Sequence, residues 1–156
     1  MGRGIMGYCD NPAEQNKNPL AKDLMMLIAN GDAAAFQWMW DFWNFTHAID
    51  DLVDKDVATE CNKFAEALAK FVTALSINTF YQRNVFHLYP LIISACNRWI
   101  DGDKLKTSDN ERDRIHSEVV RCGDVDLYLY IAYLTGGWEH MRICSEKARL
   151  YDKVEA

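Results

Sequence analysis

The chain has 156 residues, 49% of them hydrophobic, and a formal net charge of −6. That length suits one domain able to bury a core without disulfides or a structural metal. The hydrophobic content excludes a disordered chain, and the acidic balance argues against nucleic-acid binding through a basic surface.

Residues 1–19 hold two prolines and several Asn and Gly, and read as an irregular N-terminal arm ahead of a single helical domain over residues 20–156. The arm lacks the basic start and apolar run of a secretory signal, and position 6 is Met where a myristoylation pattern has Ser or Thr. No apolar run is long enough to span a bilayer. Cys9, Cys61, Cys96, Cys122 and Cys144 are odd in number and contain no C-x-x-C pair, so neither a disulfide framework nor a zinc knuckle is indicated. The expectation is a soluble protein of a reducing, cytoplasmic compartment.

Leu20, Leu24, Leu27 and Ile28 lie at helical spacing, and Asn30-Gly31-Asp32 supplies a stop followed by a new N-cap. A second helix is expected over Ala33 to Asp54. Projected at about 100° per residue, Trp38, Phe42, Phe45, Ile49 and Leu52 share one arc, and Asn44, His47, Asp51 and Asp54 lie roughly opposite, with Trp40 and Trp43 in that second arc. A helix patterned on both sides is expected to be central, its aromatics walling a cleft above the acids. Asp56 can cap a third helix carrying Val57, Cys61, Phe64, Leu68, Phe71, Val72 and Leu75 to about Thr79.

A fourth helix is expected over Val85 to Ile100, with Pro90 in its first turn or at a kink, followed by a charged turn from Asp101 to Thr107. Ser108 and Glu111 form a capping-box pattern opening a short helix that Gly123 should end. The last helix, from Val125 to about Asp152 with Asp124 as cap, is interrupted by Gly136-Gly137. With no alternating strand pattern, the fold class is all-α, an antiparallel bundle of five to six helices.

The clearest chemical constellation is Asp50, Asp51 and Asp54, three carboxylates within about one turn, preceded by His47. Such acids repel one another, stay solvated, or share a cation. The bland readings are a solvated helix end for the acids, a packed residue for His47, and core aromatics for the Trp residues. Arg112, Arg114 and Arg121 read as a charged helix surface beside Asp109 and Asp113.

The stretch Phe45 to Asp54, with its Asp-Asp-x-x-Asp, resembles the first aspartate-rich motif of isoprenoid synthases, most nearly the squalene and phytoene synthase version. The resemblance implies Mg²⁺ held by Asp50, Asp51 and Asp54, and a diphosphate-bearing small molecule bound near His47, Asn44, Trp40 and Trp43. Asn110, Arg114 and Glu118 have the spacing of the second motif in terpene cyclases, with Arg where that pattern has Ser or Thr. Asp124 and Asp126 are another possible second pair. The match covers about ten residues. The all-α nucleoside triphosphate pyrophosphohydrolases share the helical architecture and the use of carboxylates for Mg²⁺, and are the alternative. A third reading is a noncatalytic helical module, able to form a homo-oligomer, that uses exposed aromatics as a partner interface.

Overall fold

The computed structural model describes residues 19–54 and 61–154, and the side-chain surroundings of residues 21–52 and 64–148. Those residues form six helices: α1 (Pro19–Ala29), α2 (Ala33–Asp54), α3 (Cys61–Ile77), α4 (Thr79–Lys106), α5 (Glu111–Arg121) and α6 (Gly123–Val154). The fold is all-α, as the helical periodicity predicts. The expected cap at Asp56 lies outside the described residues. Two compact units are distinguished, one ending at Val85 and the other beginning at Phe86.

In the first unit, α1 ends in a left-handed turn in which Asn30 and Gly31 have φ of 49° and 84°. That turn suits Gly, which has no Cβ to clash, and Asn. Asp32 then caps α2 as expected, its carboxylate accepting the Ala35 N–H at 3.0 Å. Helix α2 packs against both α1 and α3. Its rings form two rows. Trp38 stacks on Phe42 at 5.3 Å and on Tyr81 at 5.5 Å, and Phe45 stacks on Phe71 of α3 at 4.5 Å. Phe36, Trp40, Trp43 and His47 follow one another along the second row. Trp38, Met39, Phe42 and Trp43 are buried, joined by Met25 and Ile28 of α1.

Helix α4 begins six residues before the expected Val85, because Asn78 caps it: the Asn78 side-chain oxygen accepts the Tyr81 N–H at 2.9 Å, and its amide donates to the Ala34 carbonyl of α2 at 2.9 Å. One side chain thus starts α4 and fixes it to α2. Pro90 therefore sits inside the helix, well past its first turn.

In the second unit, the expected turn from Asp101 to Thr107 is instead the last part of α4, which runs to Lys106. Gly102 lies within this part of the helix, where α5 packs closely. It is buried, and a Cβ there would stand 2.2 Å from Arg121 Cγ and 3.0 Å from the Arg121 nitrogen, so the missing side chain makes room for α5. The N-cap of α5 is Asn110, which accepts the Arg112 N–H at 2.9 Å. Ser108, expected to form a capping box with Glu111, instead bonds Asp113 at 2.8 Å. Gly123 opens α6; the cap closing α5 is Cys122. A side chain at Gly123 would meet Arg98 and the Ala95 backbone within 3.3 Å. Arg98 itself bridges elements, donating to the carbonyls of Val120 at 3.2 Å and Val119 at 3.0 Å and to the Asp126 carboxylate. It thereby satisfies carbonyls that the end of α5 leaves without intrahelical donors. As the glycine pair suggests, α6 is broken at Gly137, with φ 78° and ψ −170°.

Gly102→Ala should lower stability by about 1–3 kcal/mol, because the added methyl forces Arg121 and the α5 backbone apart. A fall in the urea midpoint with unchanged slope measures it.

Candidate functional site

The acids that the sequence singles out stand at the C-terminal end of α2. Asp50 and Asp51 are half-buried, and the side chain of Asp54 lies outside the described residues. The turns before them are tightly organised. His47 is 8% exposed, its ring centroid 4.1 Å from that of Trp43, and its Nδ1 lies 2.8 Å from the Trp43 carbonyl. A carbonyl only accepts, so Nδ1 carries the proton and a neutral ring keeps its lone pair on Nε2. The Thr46 hydroxyl donates to the same carbonyl at 3.0 Å, and the Asn44 amide donates to the Trp40 carbonyl at 2.7 Å.

Trp40 and Trp43 stack on each other at 5.1 Å, and Lys22 of α1 stands 5.7 Å above the Trp40 ring. Four sequence-selected residues, Trp40, Trp43, Asn44 and His47, are therefore gathered in one packed row leading to the acids. The Trp38 and Trp43 indole N–H groups are buried without a hydrogen-bond acceptor among the described residues. Another acid on α2, Asp41, carries no local sequence signal; burial raises its pKa, against the hydrogen bond from Gln37 at 3.0 Å and the charge of Lys70.

Arg114 and Glu118 belong to the second unit. There Asn110 is occupied as the α5 cap, and Arg114 donates to the Ser108 carbonyl at 2.7 Å, bracing the start of the helix. Glu118 is half-buried. Asp126 is paired with Arg98. Asp124 lies in the first turn of α6, and burial raises its pKa to about 6, against backbone N–H bonds and the charge of Arg98. Burial and the Asp124 charge together push the Tyr128 hydroxyl well above its usual range. His140 and Cys144 are also neighbours, 3.6 Å apart, but burial raises the thiol and so disfavours a reactive thiolate.

Among the described residues, no group of three or more His, Cys, Asp or Glu is placed to hold a metal ion. None of the described helices is long and apolar enough to cross a membrane. No protein-family model, curated protein or solved structure matches the chain.

The largest feature missed by sequence reading is on α4. Phe86, Tyr89, Ile93 and Ile100 are 83%, 46%, 62% and 49% exposed, and Cys96 is exposed between them. On the same helix Leu88 and Ala95 are buried and Leu91, Ile92 and Trp99 half-buried, so α4 has an outward apolar face beside its core-facing one. The signal was available: successive spacings of three, four, three and four residues from Phe86 to Ile100.

Asp124 supplies a pH test. Its folded pKa of about 6 lies above the unfolded value of 3.8. The folded chain therefore holds the proton more tightly, and its contribution is full below about pH 4 and lost as pH rises through about 6. The loss is at most about 3 kcal/mol. Asp124→Asn should flatten this part of the stability profile, read from urea midpoints across that range.

Proposed function

We propose that this chain is a noncatalytic helical interaction module whose working surface is the outward face of α4. The observation that carries this reading is the row Phe86, Tyr89, Ile93 and Ile100, each 46% or more exposed on one helix. Single exposed apolar residues are ordinary, whereas a contiguous row of aromatic and branched side chains marks a contact surface.

Charge supports it. Between Phe86 and Ile100 the one Asp, Glu, Lys or Arg is Arg98, which is turned to Asp126 and the Val119 and Val120 carbonyls. Contact surfaces are depleted of charge at their centres and enriched in aromatic residues. On α3 the exposed apolar residues are Leu68, Val72 and, at its last position, Ile77; Leu68 and Val72 stand among Glu66 and Lys70, which pair with each other in the manner of a solvated face.

A photo-cross-linking residue placed at Phe86 or Ile93 in the expressing cell should give discrete protein adducts, and one at Glu66 should not. Equal labelling at all three positions, or none, would overturn the reading. The competing reading, a Mg²⁺ site at Asp50, Asp51 and Asp54 that handles a diphosphate, has a separate signature. Mg²⁺ or Mn²⁺ would raise the melting temperature, and Asp51→Ala would abolish the rise; that pair of results would displace the module.

A further inference from the structure

The spacing of the exposed row on α4 carries information about its occupant. Phe86, Tyr89, Ile93, Cys96 and Ile100 recur at a mean period of 3.5 residues, which keeps a seam facing a partner helix as knobs entering holes. A strand repeats every two residues and would meet only part of this row. The seam spans about 21 Å of helix. We propose that its occupant is a second copy of this chain, the two α4 helices packing along that row about a two-fold axis. This inference rests on the interaction-module reading and names its partner.

Charge argues for self-pairing. Helices that choose a different partner do so largely through charged residues flanking the seam. Here the exposed flanking positions within the row are Pro90 and Asn97, neither of them charged, and the opposite flank is the half-buried pair Ile92 and Trp99; the first charge in this register is Lys104, beyond the end of the row. In a two-fold interface each residue meets its own kind or its mirror position, so a charged seam would repel itself. A chain of net charge −6 already repels its copies at long range, and a neutral seam allows close approach where it is needed.

Area agrees with this. From their fractional exposures, Phe86, Tyr89, Ile93 and Ile100 present on the order of 500 Å² of side-chain surface. With Cys96, Pro90 and Asn97, all exposed, the surface available for burial reaches the roughly 600 Å² per partner at the lower end of stable interfaces, a ceiling that fits a small interface.

Sedimentation equilibrium of the purified full-length chain over a wide concentration range tests the proposal. The wild type should reach twice the mass of one chain. Ile93→Glu should sediment as one chain while keeping the helical circular dichroism of the wild type, and Ile93→Leu should restore the doubled mass. Wild type with the mass of one chain throughout, or Ile93→Glu with the doubled mass, would overturn it. The two readings fail separately. A purified monomer that still gives adducts in the cell from Phe86 and Ile93 sinks the second copy and leaves the interaction surface standing; a purified monomer without adducts sinks both.

Discussion

Ring stacking on both sides of α2 is the constraint on which the first unit depends. Trp38 stacks on Tyr81 of α4, Phe45 stacks on Phe71 of α3, and Lys22 of α1 stands over Trp40, so the same helix is held by three others. Buried aromatics contribute large areas and prefer offset geometry, which sets rotation about the helix axis as well as distance. The register of α2 then determines where its last turn, with Asp50 and Asp51, is presented. His47 is part of the same constraint: its Nδ1 is committed to the Trp43 carbonyl, which fixes the tautomer and the ring plane.

The second unit is organised by close approach and by one cation. Gly102 and Gly123 remove side chains where α4 meets the end of α5 and the start of α6, and Arg98 fills the junction with a planar fork directed at two carbonyls and a carboxylate. A lysine has one donor head and could not reach the three acceptors in that arrangement. By serving the interior, Arg98 also leaves the outward row of α4 without charge. Packing of the unit and chemistry of its surface are thus linked through a single side chain.

Local signals were legible in the sequence where their cause is local. The Asn30-Gly31-Asp32 punctuation gave the end of α1 and the cap of α2, since a left-handed turn and an N-cap need only neighbouring atoms. The break at the glycine pair in α6 was readable for the same reason. Gly102 and Gly123 read locally as turn and stop, whereas in the fold they admit a helix distant in sequence, which no local pattern encodes. Asn78 was missed as a cap because part of its bonding reaches back to Ala34. At the candidate site, the identity of the acids and their shared helix were legible, as was the grouping of Trp40, Trp43, Asn44 and His47. Whether carboxylates from separate helices converge depends on tertiary placement and lies beyond periodicity. The outward row of α4 was visible as a spacing, but the core-facing residues Leu88, Leu91, Ile92, Ala95 and Trp99 already accounted for that helix as amphipathic, and the second face was masked by the first.

The placement of the indoles gives the chain built-in optical probes. Trp38, Trp40 and Trp43 all report on the unit that ends at Val85, whereas Trp99 and Trp138 report on the one that begins at Phe86. Trp38 and Trp43 are almost wholly shielded from solvent and Trp138 is 59% exposed, so emission from the two groups should differ in wavelength and in accessibility to quenchers. Replacing Trp99 and Trp138 with phenylalanine leaves the buried rings of α2 intact and would allow the melting of the half that ends at Val85 to be watched alone.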